Sequence, residues 1–571
     1  MIYKLKAIVH NTDLHSDASG WIEFCNPLQM LVAKDLDDVV NVLEKVDAES
    51  RKGRYCIGFV SYEAAPAFDT HLVCQPPGSI PLTAFGVFEA SQRISLPSQS
   101  PVGLELEPEL NTNQFDSAIS RIKQYLVDGD TYQVNFTHRL KGSPPADIRS
   151  LFARLVRTQP TPYAALMEFP DFSICSISPE LFFEKTGQRI RTEPMKGTRP
   201  RGLTELEDRN YEEELRCSEK DRAENLMIVD MIRNDLGRLA KLGTVCVDDL
   251  FVIKKLPTVW QQVSNISALT DVGLVDVFRA LFPCASVTGA PRHRTMEIIA
   301  ELEGSPRGVY TGALGLVMPG GDARFSVGIR TLVVEDEAVY GVGGGIVWDS
   351  EASDEWQESL LKSDVLRQDR PDFQLLETMR YEPGEGISLL DEHLQRLTRT
   401  AAYFDYECDP GSVRDYLSEF TAKRARRLRL LLCSDGTLKL EEHELAPSLD
   451  KVILKLADTP VDSRDIFLFH KTTNRMVYDS KHKSDCDDVI LFNERGEITE
   501  TTISNLFLEI DGELLTPDLS AGLLAGTFRQ HLLDSGRART ACLRIEDLQR
   551  AQQIFTGNSV RGLIPAVFES D

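Results

Sequence analysis

The chain has 571 residues, 42% of them hydrophobic, and carries 63 basic against 88 acidic side chains for a formal charge of −25. At about 100–200 residues per domain that is two to four globular units. An acidic surface repels nucleic-acid phosphates and anionic lipid, and no apolar run approaches the roughly 18 residues that span a bilayer, so nucleic-acid and membrane roles are excluded. The first ten residues have no secretory pattern. Eleven scattered cysteines without a CxxC predict reduced thiols in a cytoplasmic protein, not a disulfide or zinc framework.

Short apolar runs broken by Pro and Gly fill the first hundred residues, and the Ser/Pro/Glu-rich stretch 91–112 reads as a surface connection. Phe115, Ile119, Ile122 and Leu126 predict a helix that Gly129 stops, followed by a strand over 132–137. Residues 212–241 read as one long helix with Leu215, Leu226, Met227, Met231 and Ile232 available for its buried face. Gly320 and Gly321 separate apolar runs at 313–318 and 325–334, a third run follows at 338–347, and helix returns over 353–366. The charged stretch 367–372, broken by Pro371, is the expected linker between domains 1–366 and 373–571. The second domain opens with a strand over 373–380 and a helix over Leu390–Phe404.

Three clusters in the first domain carry chemistry. Lys196, in PMKGTRPRG at 194–202, is bounded by proline and glycine with Arg199 and Arg201 nearby. A lysine is ordinarily a surface charge, but neighbouring cations and burial favour the neutral amine that a nucleophile needs. The stretch 220–238 reads as an amphipathic helix with i,i+4 pairs such as Lys220–Glu224. Beyond Gly343, Gly344 and Gly345, a run that marks close backbone approach, Glu355 and Glu358 lie three apart on one helix face, as hard oxygen ligands for Mg²⁺ would.

With SYEAAPAFD at 61–69, GDTYQVN at 129–135, SVTGAP at 286–291, YTGALG at 310–315 and IRT at 329–331, the first domain resembles the chorismate-utilising enzymes, the family of anthranilate synthase and aminodeoxychorismate synthase large subunits. The resemblance implies an α/β sandwich of two sheets flanked by helices, with the site between the sheets. Lys196 stands where members forming aminodeoxychorismate carry lysine and anthranilate-forming members carry alanine. Gln133 stands where isochorismate-forming members carry a lysine base. By the same resemblance Glu180 is catalytic, and Glu224 joins Glu355 and Glu358 as Mg²⁺ ligands. Arg330 and Lys362 would grip substrate carboxylates, and Thr288, Tyr310 and Gly312 would line the site. Gln261 replaces a family histidine and can donate a hydrogen bond but carry no charge. The tryptophan-feedback element of the family is missing.

In the second domain Lys471 follows a short apolar strand at 466–470, and Glu500 follows at some distance. Segments 516–517, 522–527 and 556–559 are rich in the backbone and hydroxyl donors that suit a phosphate. With LETMR at 376–380 and HLQRL at 393–397, this domain resembles the branched-chain aminotransferase-like, fold type IV pyridoxal-phosphate enzymes, and among them the aminodeoxychorismate lyases. The implied α+β domain uses Lys471 to hold the cofactor and move protons, and Glu500 to pair with the pyridine nitrogen. Arg396, Thr527 and Ser559 would hold the phosphate, and Thr378 would relay a proton. The family's usual first strand is missing or shortened before Phe373.

The two resemblances together imply conversion of chorismate and ammonia to 4-amino-4-deoxychorismate, then loss of pyruvate to give 4-aminobenzoate for folate. No glutaminase pattern occurs in the chain, so the ammonia is free or comes from a separate glutamine amidotransferase subunit. Two alternatives stand beside this. One is an anthranilate synthase-like domain fused to an amino-acid aminotransferase, against which Lys196 argues. The other is a synthase joined to a decayed, non-catalytic domain, against which Lys471 and Glu500 argue.

Overall fold

The computed structural model describes residues 4–11, 20–97, 104–367, 371–447 and 450–569. Residues 368–370 of the expected linker and 98–103 of the expected surface connection lie outside the described residues. The chain divides into two compact units, residues 1–201 with 211–370, and residues 202–210 with 371–571. Among the described residues no helix is long and apolar enough to cross a membrane.

The first unit is built on two ten-stranded sheets. One includes Gln133–Gly142, whose residues 134–142 pair with Ala338–Ile346. The other runs through Val259–Leu269, Arg189–Glu193 and Leu181–Thr186 to Ala323–Val327 and Ala313–Val317. The glycine pair does make a hairpin, Ala313–Val317 against Ala323–Val327, with both glycines at positive φ. The run expected as one strand over 325–334 is however two, because the chain changes sheets in its middle. Ala323–Val327 belongs to the second sheet, Thr331–Val334 to the first. Gly328, where a Cβ would meet the Val309 carbonyl, and Arg330, at φ 50°, make the crossing. At that crossing the Arg330 side chain reaches the Lys362 carbonyl.

Helix Thr112–Val127 buries Phe115, Ile119 and Ile122, and a reciprocal capping box between Asn111 and Gln114 starts it. The strand expected over 132–137 extends to Gln133–Gly142 and leaves Tyr132 exposed. The long helix expected over 212–241 is two helices, Glu205–Cys217 and Glu219–Gly237. Ser218 breaks it by capping the second, its hydroxyl accepting from the Asp221 N–H at 3.2 Å. The buried stripe is Ile228, Val229, Ile232 and Leu236, which share a core with Ile190, Ile266 and Phe325; Leu226 faces solvent. The helix expected over 353–366 is Ala352–Leu361 followed by a 3₁₀ turn.

The second unit has a four-stranded antiparallel sheet and an eight-stranded mixed sheet. In the first, Leu375–Glu382 pairs with Arg426–Leu432, and that strand with Leu438–Glu444. Helix Leu390–Phe404 covers one face of this sheet through Leu394, Leu397 and Ala401 against Leu375, Met379 and Leu430. The apolar run before Lys471 is not a strand. Ile466–Leu468 is a 3₁₀ turn started by the Asp465 side chain, and Lys471 is tied instead through its carbonyl, which accepts from the Leu376 N–H at 3.0 Å.

Candidate active sites

Lys196 occupies a fault in a β-ladder. Strand Met195–Pro200 pairs with Val259–Leu269 as Met195 to Val263 and Thr198 to Gln261, so one extra residue sits on the Lys196 side. Gly197 at φ 86° takes the conformation this bulge needs, and a bulge re-aims the side chain it carries. Gln261 braces the bulge: its amide donates to the Gly197 carbonyl at 3.1 Å and accepts from Thr198 Oγ1 at 3.1 Å. The Gln261 side chain is thereby engaged with the strand that carries Lys196.

The Nζ of Lys196 reaches the other sheet. A Cβ on Gly345 would stand 2.8 Å from Lys196 Nζ and 2.5 Å from Gln133 Nε2, and one on Gly344 would stand 3.0 Å from Glu355 Oε2. The glycine run is therefore the floor of a site, and its missing side chains are the room in it. Gln133 is fully buried, yet among the described residues both polar atoms of its carboxamide lack a partner. Unpaired amides are costly when buried, so a ligand's polar groups fit here.

Glu180 is buried and receives a 2.6 Å hydrogen bond from Ser286 Oγ. Burial pushes its pKa up to about 7 against the pull of Ser286 and Lys196. Burial likewise lowers Lys196, opposed by Glu224 and assisted by Lys362. The pair is thus tuned toward a neutral amine beside a protonated acid. Ser286 lies in the SVTGAP motif, but only the fold reveals its place on Glu180.

Burial raises the pKa of Glu224 and of Glu355, whose Oε1 also accepts from Ser350 at 2.6 Å. Lys362 holds Glu358 low through a 2.8 Å ion pair, and donates to the Gly343 carbonyl at 2.8 Å. Among the described residues no three acidic, histidine or cysteine side chains gather into a cation shell. Arg330 donates to the Lys362 carbonyl at 2.9 Å, and Tyr310 is buried with the Arg139 guanidinium 5.4 Å over its ring. Thr288 spends its hydroxyl on the Cys284 carbonyl at 3.1 Å, and Gly312 lets the Val60 carbonyl approach. Both do scaffolding work in this arrangement.

The second site is a cavity of about 340 Å³ lined by Lys471, Glu500, Arg396, Thr378, Thr527 and Ser559 among others. Burial lowers the Lys471 pKa to about 8, helped by Arg396. Glu500 accepts from Tyr478 Oη at 2.8 Å, Asn505 Nδ2 at 3.1 Å and the Leu524 N–H at 3.0 Å, and burial still raises it to about 7. A carboxylate so well hydrogen-bonded but short of positive charge fits the protonated nitrogen of a pyridine ring. Arg396 is clamped by both oxygens of Glu377, at 2.9 and 2.6 Å, and Glu377 also holds His393 Nδ1 at 2.6 Å. Burial alone would raise Glu377, but Arg396 and His393 bring it down to about 2. Thr527 opens helix Thr527–Asp534, whose first N–H groups suit a phosphate. Ser559 donates to the Thr378 carbonyl at 3.0 Å. Glu377 and His393 sat in the LETMR and HLQRL motifs, unassigned until the fold brought them together.

Each site matches a different family. Residues 90–368 match the chorismate binding enzymes, and residues 374–567 match amino-transferase class IV. An anthranilate synthase component 1 of Haloarcula marismortui is 42% identical over 263 residues, which cover 46% of this chain and 54% of that protein. The aminodeoxychorismate synthase component 1 of Bacillus subtilis is 41% identical over 256 residues, covering 44% and 54%. The match thus spans about half the length of these curated relatives. The crystal structure of anthranilate synthase component I from Streptococcus pneumoniae, 23% identical, superposes with a TM-score of 0.55 over 63% of this chain and 94% of that one, and so shares the fold. One stretch of the chain is thus similar to the chorismate binding enzymes and a second, separate stretch to the class IV amino-transferases. The second family implies pyridoxal phosphate, and the donors around Lys471 and Glu500 fit it.

Proposed function

We propose that the chain makes 4-aminobenzoate in two steps, aminating chorismate in its first unit and eliminating pyruvate in its second, in the cytosol. The observation that carries the first step is Lys196, pKa lowered by burial, aimed across the sheets at Gly345, with Glu180, whose pKa burial raises to about 7, nearby. The neutral Lys196 amine attacks C2 of chorismate, the two ring double bonds shift, and the C4 hydroxyl leaves as water with the proton of Glu180. Ammonia then attacks C4, the double bonds shift back, and the Lys196 amine leaves C2, giving 4-amino-4-deoxychorismate. Arg330 and Lys362 orient the substrate carboxylates, with Tyr310 beside them and Thr288 and Gly312 holding the surrounding backbone in place. Glu224, Glu355 and Glu358 offer the hard oxygen donors that suit Mg²⁺, which supplies positive charge to the ring carboxylate when bound. Gln261 acts by holding the bulge that aims Lys196.

In the second unit Lys471 and Glu500 are the residues that would hold pyridoxal phosphate, with Arg396, Thr527 and Ser559 on its phosphate. The cofactor, when bound, supplies the electron sink. Lys471 takes the proton from C4 of 4-amino-4-deoxychorismate, the C3–O bond breaks, and pyruvate departs as its enol while the ring becomes aromatic. Thr378, on the cavity wall, would pass a proton. Ammonia comes from a separate glutamine amidotransferase subunit or from solution.

The test is chorismate, ammonium and Mg²⁺ with the purified, cofactor-loaded chain. Products are resolved by chromatography, because 2- and 4-aminobenzoate have equal mass. 4-Aminobenzoate with an equivalent of pyruvate is the expected result; 2-aminobenzoate would overturn the reading in favour of an anthranilate-forming first unit.

A further inference from the structure

The cavity around Lys471 has a charge unlike that of the chain that encloses it. The protein stands at −25, yet this cavity is lined by Arg396, Arg427, Arg429, Lys471, Arg475 and Arg561 against one carboxylate, Glu500. Most of these cations are already balanced. Glu377 clamps Arg396, Glu441 accepts from Arg429 at 3.2 Å, and Asp479 lies 3.7 Å from Arg475. Arg427 and Arg561 are different: among the described residues neither side chain has a hydrogen-bond or ion-pair partner.

The strand register explains how Arg427 comes to face the cavity. Leu428, Leu430 and Leu432 of strand Arg426–Leu432 are buried. The alternate positions, Arg427 and Arg429, lie on the opposite face, where their antiparallel partners are Arg380 and Thr378. On its other side Arg427 pairs with His443, so both cross-strand neighbours are basic. Arg561 comes from the turn between Gln553–Asn558 and Gly562–Phe568, held by its N–H on Asn558 Oδ1 at 3.0 Å. Two guanidiniums kept at one cavity without counter-charge call for negative charge from a ligand, and their planar forks match carboxylates.

We propose that Arg427 and Arg561 hold carboxylates of the substrate, so that the second site selects dicarboxylates over monocarboxylic amino acids. This deepens the elimination reading given above and rests on it, since 4-amino-4-deoxychorismate carries two carboxylates. In the test, the full chain loaded with pyridoxal phosphate is titrated with benzene-1,3-dicarboxylate and with benzoate, followed by visible absorbance and calorimetry. The dicarboxylate is expected to bind about tenfold tighter or better, and Arg427→Gln and Arg561→Gln are each expected to erase most of that advantage. Benzoate affinity and cofactor retention on dialysis should not move. Equal binding of the two ligands overturns the proposal, and so does loss of cofactor from the variants, which would give the arginines to the phosphate. Neither probe is turned over, so failure of the elimination reading shows separately, as absence of 4-aminobenzoate from the unaltered chain.

Discussion

Ser286 Oγ donates to Glu180 Oε1 across 2.6 Å, one short bond on a carboxyl that burial has lifted to about 7. Between about 4.5 and 7 the folded chain therefore holds a proton that the unfolded chain has lost, so stability falls as pH rises through that window. Glu180→Gln should remove that fall, worth about 3 kcal/mol, and raise the unfolding midpoint at pH 8 more than at pH 5. The same substitution should abolish chorismate amination. In the unaltered chain amination should decline above pH 7 as the acid is lost. Thermal scans at both pH values with a pH–rate profile check this; equal shifts at both pH values would refute the assignment.

Gly345→Ala places a methyl 2.8 Å from Lys196 Nζ and 2.5 Å from Gln133 Nε2. Chorismate amination should fall about a hundredfold or more, because a misplacement of about 1 Å at the reacting atoms costs that much. The second reaction, supplied with 4-amino-4-deoxychorismate, should keep its rate. Lys196→Ala should lose 4-amino-4-deoxychorismate in the same assay, and retention of the wild-type rate under saturating ammonium would refute a covalent role for the lysine.

Glu355→Gln exchanges a charged oxygen donor for a weaker neutral one. The Mg²⁺ concentration for half-maximal amination should rise about tenfold, with pyruvate elimination untouched. Titrating Mg²⁺ against both half-reactions decides it, and an unchanged requirement would remove Glu355 from the metal.

Lys471→Ala should leave a chain without the visible absorbance of bound cofactor. Given chorismate, ammonium and Mg²⁺, it should accumulate 4-amino-4-deoxychorismate, and an independent lyase should then release 4-aminobenzoate. Formation of 4-aminobenzoate by the variant at the unaltered rate would show that the second unit is not the lyase.

Glu377→Gln breaks a buried clamp on Arg396 and His393. Removing one partner of a buried pair costs about 3–5 kcal/mol, so the unfolding midpoint should drop. Loss of pyridoxal phosphate on dialysis should quicken, and Glu377→Asp should restore part of both. A variant with unchanged retention would make Glu377 structural only.

Helices Thr112–Val127 and Leu390–Phe404 were legible because their apolar residues repeat at helical spacing and their ends carry stop or turn residues. The short motifs were legible for a different reason: glycines and charged residues in fixed order survive as strings. Other features did not show, because their causes are tertiary. The run at 325–334 reads as one strand in hydropathy, and only the close approach of Val309 to Gly328 reveals that it serves two sheets. The apolar stretch before Lys471 is too short for periodicity to tell a 3₁₀ turn from a strand. Ser286 and Glu377 lie 16 residues or more in sequence from the side chains they touch, so no local pattern announces them.

The bulge under Lys196 also governs which sequence changes this chain can survive. A side chain alternates faces at every residue of a strand, and the extra residue between Met195 and Thr198 is what sets Lys196 facing its present way. Deleting Gly197 would restore an unbroken ladder between Met195 and Thr198 and remove the bulge that carries the lysine. Such a chain would retain every reactive side chain in its composition and yet lose the Gly197 carbonyl that Gln261 holds. Along this strand, then, the number of residues matters to the site as well as their identity.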